Sequence, residues 1–155
     1  MKSIDFRIAA PEDATACIDL RGRTRENAFS REDLSALGVN EESWANGIAG
    51  GSMIGYIGDI EGRMIGYCFG DRDSGEIVVL ALLPEYEGCG IGKSLLQLVV
   101  AEFRRRGFAR LFLGCAADPG VRSYGFYRHL GWKPTGEYDD LGDEILELLI
   151  DGQHG

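Results

Sequence analysis

The pattern of apolar and polar positions predicts seven β-strands distributed along the chain. Residues 4–8 alternate strictly between the two types, a pattern typical of a strand with one buried face. Further strand-like runs are predicted over residues 53–59, 63–70, 76–82, 110–115, 133–138 and 144–150. Because Ile60-Glu61-Gly62 separates the first two of these runs, we expect them to form a hairpin.

Helices are predicted where apolar residues recur at helical spacing behind capping residues. Pro11 is suited to a first helical turn, Ser30 with Asp33 resembles a capping box, and Asn40 is a favourable N-cap. The predicted helices cover about residues 11–21, 31–38 and 41–44, a long segment ending at residue 106, and residues 121–130. The strand–helix–strand order over residues 76–116 implies a parallel pair inside a mixed sheet, which indicates an α/β (α+β) layered fold.

Length, charge and cysteine usage narrow the class of protein. A chain of 155 residues is expected to form a single domain, 1–155, with a substantial core. The net charge of −9 disfavours nucleic acid as a partner; it either favours an amine-bearing partner or only keeps the protein soluble. The four cysteines are scattered and only two histidines accompany them, so we expect no metal site and no disulfides, and a reducing cytoplasm. No apolar run predicts a membrane span, and no signal peptide is evident.

Three glycines at alternate positions, Gly88, Gly90 and Gly92, lie between the predicted strand 76–82 and the long helix. Glycines let the backbone approach a ligand closely and direct successive N–H groups into one concavity. The helix that follows adds unpaired N–H groups and the positive end of its dipole. The segment therefore predicts a site for phosphate groups.

Two kinds of phosphate loop are excluded by spacing. The dinucleotide fingerprint is G-x-G-x-x-G, whereas here the third glycine comes one residue early. The nucleoside-triphosphate loop requires four residues between its first glycine and Gly-Lys-Ser, but three residues separate Gly88 from Gly92.

A third kind of phosphate loop matches this segment. Residues 84–92, followed by Leu95-Leu96, resemble the pyrophosphate loop of the GCN5-related N-acetyltransferases (GNAT), which bind acetyl-CoA. The family pattern is Arg or Gln, two residues, Gly, one residue, then Gly or Ala, and it maps onto residues 87–92. Residues 123–132, Ser-Tyr-Gly-Phe-Tyr-Arg-His-Leu-Gly-Trp, resemble the late helix of the family. The resemblance implies a mixed, mostly antiparallel sheet of about six or seven strands, with a central splayed parallel pair and helices on both faces.

The resemblance also implies how acetyl-CoA would bind as a co-substrate. The pantetheine arm would enter between the splayed strands and pair with the backbone of Leu80, Ala81 and Leu82. The pyrophosphate would be held by backbone amides, with charge from Lys93; these amides belong to Glu87, Gly88, Cys89, Gly90, Ile91 and Gly92. Three positions depart from the family: Glu87 replaces the usual Arg or Gln, and Cys89 occupies a position that is often basic. Gly120 replaces an asparagine whose contact Asp118 or Arg122 would have to supply.

Acetyl transfer to an amine requires a proton acceptor for the ammonium and a proton donor for the departing thiolate. Tyr127 matches the general-acid tyrosine of the family and would lie at the cofactor sulfur. Glu76 corresponds to the general-base glutamate of histone-modifying members, although water alone can serve as the base. We expect His129 to be structural or exposed, and Cys89 to be incidental because direct attack does not need a thiol.

The acceptor is expected to be a primary amine of a small molecule or peptide. Family members use the segment 21–29 as one wall of the acceptor site. Its three arginines, Arg21, Arg23 and Arg25, either favour a carboxylate-bearing acceptor or form a solvated helix end. The carboxylates of Glu26, Asp71 and Asp73 instead favour a polyamine or a lysine side chain as the acceptor. Alternatives are a non-catalytic acyl-CoA-binding module, or an acyltransferase for longer acyl groups or hydroxyl acceptors. In the last case the acyl pocket would be set by Leu80, Phe112 and Phe126. A homodimer is left open.

Overall fold

The computed structural model describes residues 3–24 and 30–150. The strands, in chain order, are β1 (Ile4–Ile8), β2 (Met53–Ile60), β3 (Arg63–Asp71), β4 (Ile77–Leu82), β5 (Arg110–Cys115), β6 (Lys133–Tyr138) and β7 (Glu144–Leu149). The helices are α1 (Ala14–Arg21), α2 (Arg31–Ala36), α3 (Glu41–Ala49), α4 (Ile91–Arg105) and α5 (Arg122–His129), with short 3-10 turns at Pro11–Asp13 and Pro84–Tyr86.

The strands form two antiparallel sheets that meet along one parallel seam. The first sheet has the order β1-β2-β3-β4 and the second the order β5-β7-β6. A parallel bridge between Glu76 and Phe112 joins them, and the Phe112 N–H donates to the Gly75 carbonyl at 3.2 Å. Beyond this bridge β4 and β5 separate, which confirms the predicted splayed parallel pair in a mixed, mostly antiparallel arrangement.

Helices cover both faces of the first sheet, as predicted. The rings of Tyr67 and Phe69 on β3 each lie 5.6 Å from the ring of Trp44 on α3. Alternate residues of a strand face opposite sides, so Gly66 and Gly70 face the other way. There a Cβ on Gly70 would lie 2.5 Å from the Phe103 ring of α4. Because these glycines carry no side chain, α4 packs directly against the sheet.

The local structure agrees with most of the predicted boundaries. The capping boxes at Ser30 and Asn40 are both formed, and the hairpin turn holds Glu61 and Gly62 at positive φ. The predicted helix over residues 11–21 begins as a 3-10 turn, and the helix behind Asn40 continues past Trp44 to Ala49. Within residues 3–24 and 30–150, no helix has the length and apolar character needed to cross a membrane.

Replacing Tyr67 by Phe is expected to destabilise the fold. The buried Tyr67 hydroxyl donates to the Cys17 carbonyl at 2.9 Å, which connects β3 to α1, and the variant removes this hydrogen bond. We expect the free energy of unfolding, measured in urea, to fall by about 1–3 kcal/mol. The same change at exposed Tyr138 should leave it nearly unchanged. Equal stability of the Tyr67→Phe variant and the wild-type protein would contradict the assignment.

Candidate active site

The glycine loop connects β4 to α4 through a sharp change of direction. Gly88 and Gly90 have φ angles of 79° and 82°, in the left-handed region that side chains other than glycine rarely adopt. Gly90 is the N-cap of α4, which runs for 15 residues. The two glycines therefore turn the chain so that the loop amides and the helix N-terminus lie together.

The amides of this loop are available to a ligand. The first hydrogen bond of α4 runs from the Ser94 N–H to the Gly90 carbonyl at 3.1 Å. Within the described parts of the chain, the N–H groups of residues 88–93 contact no acceptor. The Glu87 N–H instead donates to the Pro84 carbonyl at 3.2 Å, so its amide is already committed to the turn. The unsatisfied amides and the helix dipole together make this loop suited to an anion.

A cavity of about 630 Å³ extends from this loop along the gap between β4 and β5. Its walls contain ten of the twelve residues predicted for the site: Glu76, Leu80, Ala81, Leu82, Glu87, Gly88, Gly90, Gly92, Lys93 and Tyr127. The remaining two do not line it. The Cys89 side chain is exposed, and the Ile91 side chain lies in the core, 3% exposed. Each could contribute its backbone N–H alone.

The backbone hydrogen-bonding groups of successive β4 residues point to opposite sides of the strand. The Leu83 N–H donates to the Ile65 carbonyl of β3 at 2.9 Å, and Ala81 pairs with Tyr67 in the same register. Backbone groups alternate in direction along an antiparallel strand, so those of Ala81 face β3. The N–H and C=O groups of Leu80 and Leu82 face the gap, where β5 has already diverged. They form an open strand edge along the cavity.

Tyr127 lies on α5 with its side chain in the cavity wall. Its ring makes edge contacts with Phe126, at a centroid distance of 5.0 Å, and with Trp132, at 6.0 Å. Burial raises the pKa of the phenol above its usual value, and the thiols of Cys68 and Cys115 add to the effect. In the described residues no group hydrogen-bonds to this hydroxyl. The phenol thus stays protonated around neutral pH and is available as a donor.

Three carboxylates line the opposite end of the cavity. Glu76 comes from the start of β4, and Asp139 and Asp143 come from the turn between β6 and β7. Burial raises the pKa of Glu76, with further contributions from Asp71 and Asp139. Burial and Asp139 likewise raise the pKa of Asp143. The sequence interpretation missed Asp139 and Asp143; the one cue was a carboxylate-rich turn between the last two strands.

Several other predicted residues are placed by the structure. Arg21 and Arg122 line the cavity, and burial lowers the pKa of Arg21. Asp118 instead accepts the Gly120 N–H at 2.9 Å within its own turn. The predicted acyl-pocket residue Phe112 does not line the cavity and lies under the Arg110 guanidinium.

His129 is exposed. Residues 25–29, with Arg25 and Glu26, fall outside the described residues. No His, Cys, Asp or Glu side chains among the described residues are grouped so that they could hold a metal ion.

The fold of this chain matches that of solved N-acetyltransferases. The PaiA N-acetyltransferase of Thermoplasma acidophilum, solved in complex with coenzyme A, superposes with a TM-score of 0.78 at 22% identity, covering 96% of this chain and 99% of that one. The family model of the acetyltransferase (GNAT) family matches residues 14–132. The chain belongs to this family, which confirms the resemblance seen in the sequence.

Two curated relatives align with most of this chain. An uncharacterized N-acetyltransferase of Methanocaldococcus jannaschii is 32% identical over 136 residues, which cover 77% of this chain and 87% of that protein. The mycothiol acetyltransferase of Saccharomonospora viridis is 28% identical over 134 residues, or 79% of this chain. The chain spans only about two fifths of the length of some curated relatives, 42% in the case of that enzyme.

Proposed function

We propose that this protein is an N-acetyltransferase that moves the acetyl group of acetyl-CoA to a primary amine of a small molecule or peptide by direct attack. One observation carries the proposal: a single cavity brings together a loop with free amides, an open strand edge, a partly buried phenol and a carboxylate. Together they can bind a coenzyme A thioester, supply a proton to the leaving thiolate and accept one from the acceptor ammonium. The proposal treats residues 1–155 as a single catalytic domain.

The residues present fit acetyl-CoA. The amides of residues 88–93 suit a pyrophosphate, because they donate to no other described group and lie at the positive end of a helix dipole. The open edge formed by Leu80 and Leu82 suits a pantetheine arm, which carries amides that can pair as an added strand does. Lys93 adds a positive charge at the cavity wall. When bound, acetyl-CoA supplies an activated acetyl thioester.

Tyr127 is assigned the role of general acid. Its buried phenol holds its proton well above neutral pH, so it can donate a hydrogen bond or a proton to sulfur at the cavity wall. A donor at this position stabilises the charge that develops on the leaving group.

Glu76 is assigned the role of general base. Its carboxylate lies half-buried in the cavity wall, and its raised pKa makes it a stronger proton acceptor than an exposed glutamate. It would take a proton from the acceptor ammonium, directly or through water, and leave a neutral amine able to attack. The nearby carboxylates of Asp139 and Asp143 favour a cationic acceptor, because they attract an ammonium group and repel a carboxylate.

The Glu76→Gln variant should lose rate at neutral pH and regain it as the pH rises. A higher pH supplies neutral acceptor amine without help from a base, so the deficit should shrink toward the pKa of the acceptor. The measurement is kcat/KM between pH 6 and pH 10 for both proteins. Parallel profiles at every pH would remove Glu76 from the mechanism and leave water as the base.

The proposed activity is tested by turnover across a panel of acyl-CoA and acceptor compounds, with release of free thiol as the readout. Acetyl-CoA with primary amines should give the highest kcat/KM. Faster turnover of longer acyl groups or hydroxyl acceptors would replace the acetyl-to-amine assignment. Tight acetyl-CoA binding without turnover of any acceptor would favour a non-catalytic acyl-CoA-binding module.

A further inference from the structure

A second carboxylate lies beside Glu76 in the cavity. Glu76 is bridged to Phe112 of β5, and the next residue of β5 on the same side is Gly114, two positions along. The Asp139 carboxylate lies over Gly114, where a Cβ atom would come within 2.9 Å of Asp139 Oδ2. Glycine at position 114 thus makes room for Asp139 next to Glu76.

Asp139 is held in place by hydrogen bonds and forms no ion pair with a described residue. Its Oδ1 accepts the N–H groups of Leu141 and Asp143, both at 2.9 Å. Its own N–H donates to the Asp143 carbonyl at 2.9 Å, which closes the turn between β6 and β7. Its Oδ2 accepts no hydrogen bond from the described residues. One oxygen is therefore anchored by the turn, while the other lies against Gly114 at the cavity.

The other charges around Glu76 do not offset that of Asp139. From the end of β3, Asp71 faces Glu76 and is itself hydrogen-bonded within the turn to the Asp73 N–H and the Ser74 hydroxyl, both at 3.0 Å. From the β6–β7 turn, Asp143 adds a further carboxylate to the cavity wall.

The neighbouring strand, β5, contributes the thiol of Cys115 to the cavity wall. It also carries one cation, which does not line the cavity. That cation, Arg110, pairs with Glu147 at 2.7 Å. In the described part of the chain, no Lys or Arg pairs with Glu76, Asp139 or Asp143. Arg21, Lys93 and Arg122 also line the cavity, but the groups that act on the pKa of Glu76 and of Asp143 are carboxylates. Negative charge therefore predominates around Glu76.

We propose that Asp139 is a positioning residue that acts on the reaction through Glu76, its fixed carboxylate keeping Glu76 basic enough to take a proton from the acceptor ammonium. The step transfers one proton: the ammonium N–H bond breaks, an O–H bond forms on Glu76, and the neutral amine keeps the electron pair. Glu76 later returns the proton to water. This inference rests on the proposed function, since it requires Glu76 as the base.

The Asp139→Asn variant tests the inference. Asn keeps the size and an oxygen for the two turn amides but removes the charge, so Glu76 should lose its proton more readily. Glu76 must be ionised to act as a base, so the acidic limb of the kcat/KM profile should move to lower pH by about one pH unit. Asp140→Asn is the matched control: Asp140 is exposed in the same turn and does not line the cavity, so its profile should not move.

A second variant and a second readout make the test independent of turnover. Gly114→Ala adds a Cβ 2.9 Å from Asp139 Oδ2, which is too close for both atoms to stay in place. Displacing that carboxylate should move the limb in the same direction. The carboxyl carbon of Glu76, followed by NMR during an acid titration, should show the same shift in both variants without any substrate. An unmoved Glu76 titration in Asp139→Asn, or an equal shift in Asp140→Asn, would overturn the inference. Absent turnover in the wild-type protein would instead refute the proposed function.

Discussion

Replacing Gly90 by Asp is expected to weaken acetyl-CoA binding at least about 30-fold. A carboxylate at the N-cap of α4 would lie near the two charges of a pyrophosphate, and each pair at about 4 Å costs about 1 kcal/mol even in bulk water. No atom lies within 4 Å of a Cβ at this position, so the loss would come from the binding site and not from a clash. Isothermal calorimetry measures it directly.

Gly90→Asn is the matched control for that experiment. Asn has the same shape as Asp, tolerates the left-handed backbone at least as well, and carries no charge. The Asn variant should therefore bind acetyl-CoA more tightly than the Asp variant. Equal affinities for the two variants would mean that backbone strain, and not phosphate recognition, explains the effect.

The Tyr127→Phe variant should lose about 100-fold in kcat while acetyl-CoA affinity stays nearly constant. Phe keeps the ring contacts with Phe126 and Trp132, and no described residue hydrogen-bonds to the lost hydroxyl. The fold should therefore be preserved while the proton donor is removed. Steady-state kinetics with a calorimetric binding constant separate the two effects.

Tyr124→Phe serves as the comparison on the same helix. Tyr124 does not line the cavity, and its ring packs under the Arg128 guanidinium, so this variant should turn over at the wild-type rate. An unchanged kcat in Tyr127→Phe would show that this tyrosine is a packing residue and that the proton donor is another group, such as water.

Most of the fold could be predicted because its determinants are local. Alternation in residues 4–8 and short apolar runs elsewhere indicate the strands, and capping residues such as Ser30 and Asn40 indicate helix starts. Strand–helix–strand order alone predicted the parallel pair. The helix behind Asn40 was predicted too short because Trp44 was taken as its end, whereas Ile48 continues the partly buried face.

The site was predictable only where one continuous segment forms it. The glycine loop is such a segment, and ten of the twelve predicted residues line one cavity. Asp139 and Asp143 were missed because they are more than sixty residues from Glu76 in sequence and meet it only through the packing of β5. The register between β4 and β3 determines that the backbone groups of Leu80 and Leu82 face the gap and those of Ala81 face β3. Sequence periodicity does not specify this register.

The binding of acetyl-CoA to the loop and the β4 edge is the central claim, and an NMR titration of ¹⁵N-labelled protein tests it most directly. With acetyl-CoA added, the largest amide shifts should occur at residues 88–93 and at Leu80 and Leu82, with saturation at one ligand per chain. The Glu87 amide, committed to Pro84, should shift less. No saturable shift at millimolar acetyl-CoA, or shifts clustered away from this loop and strand, would contradict the account.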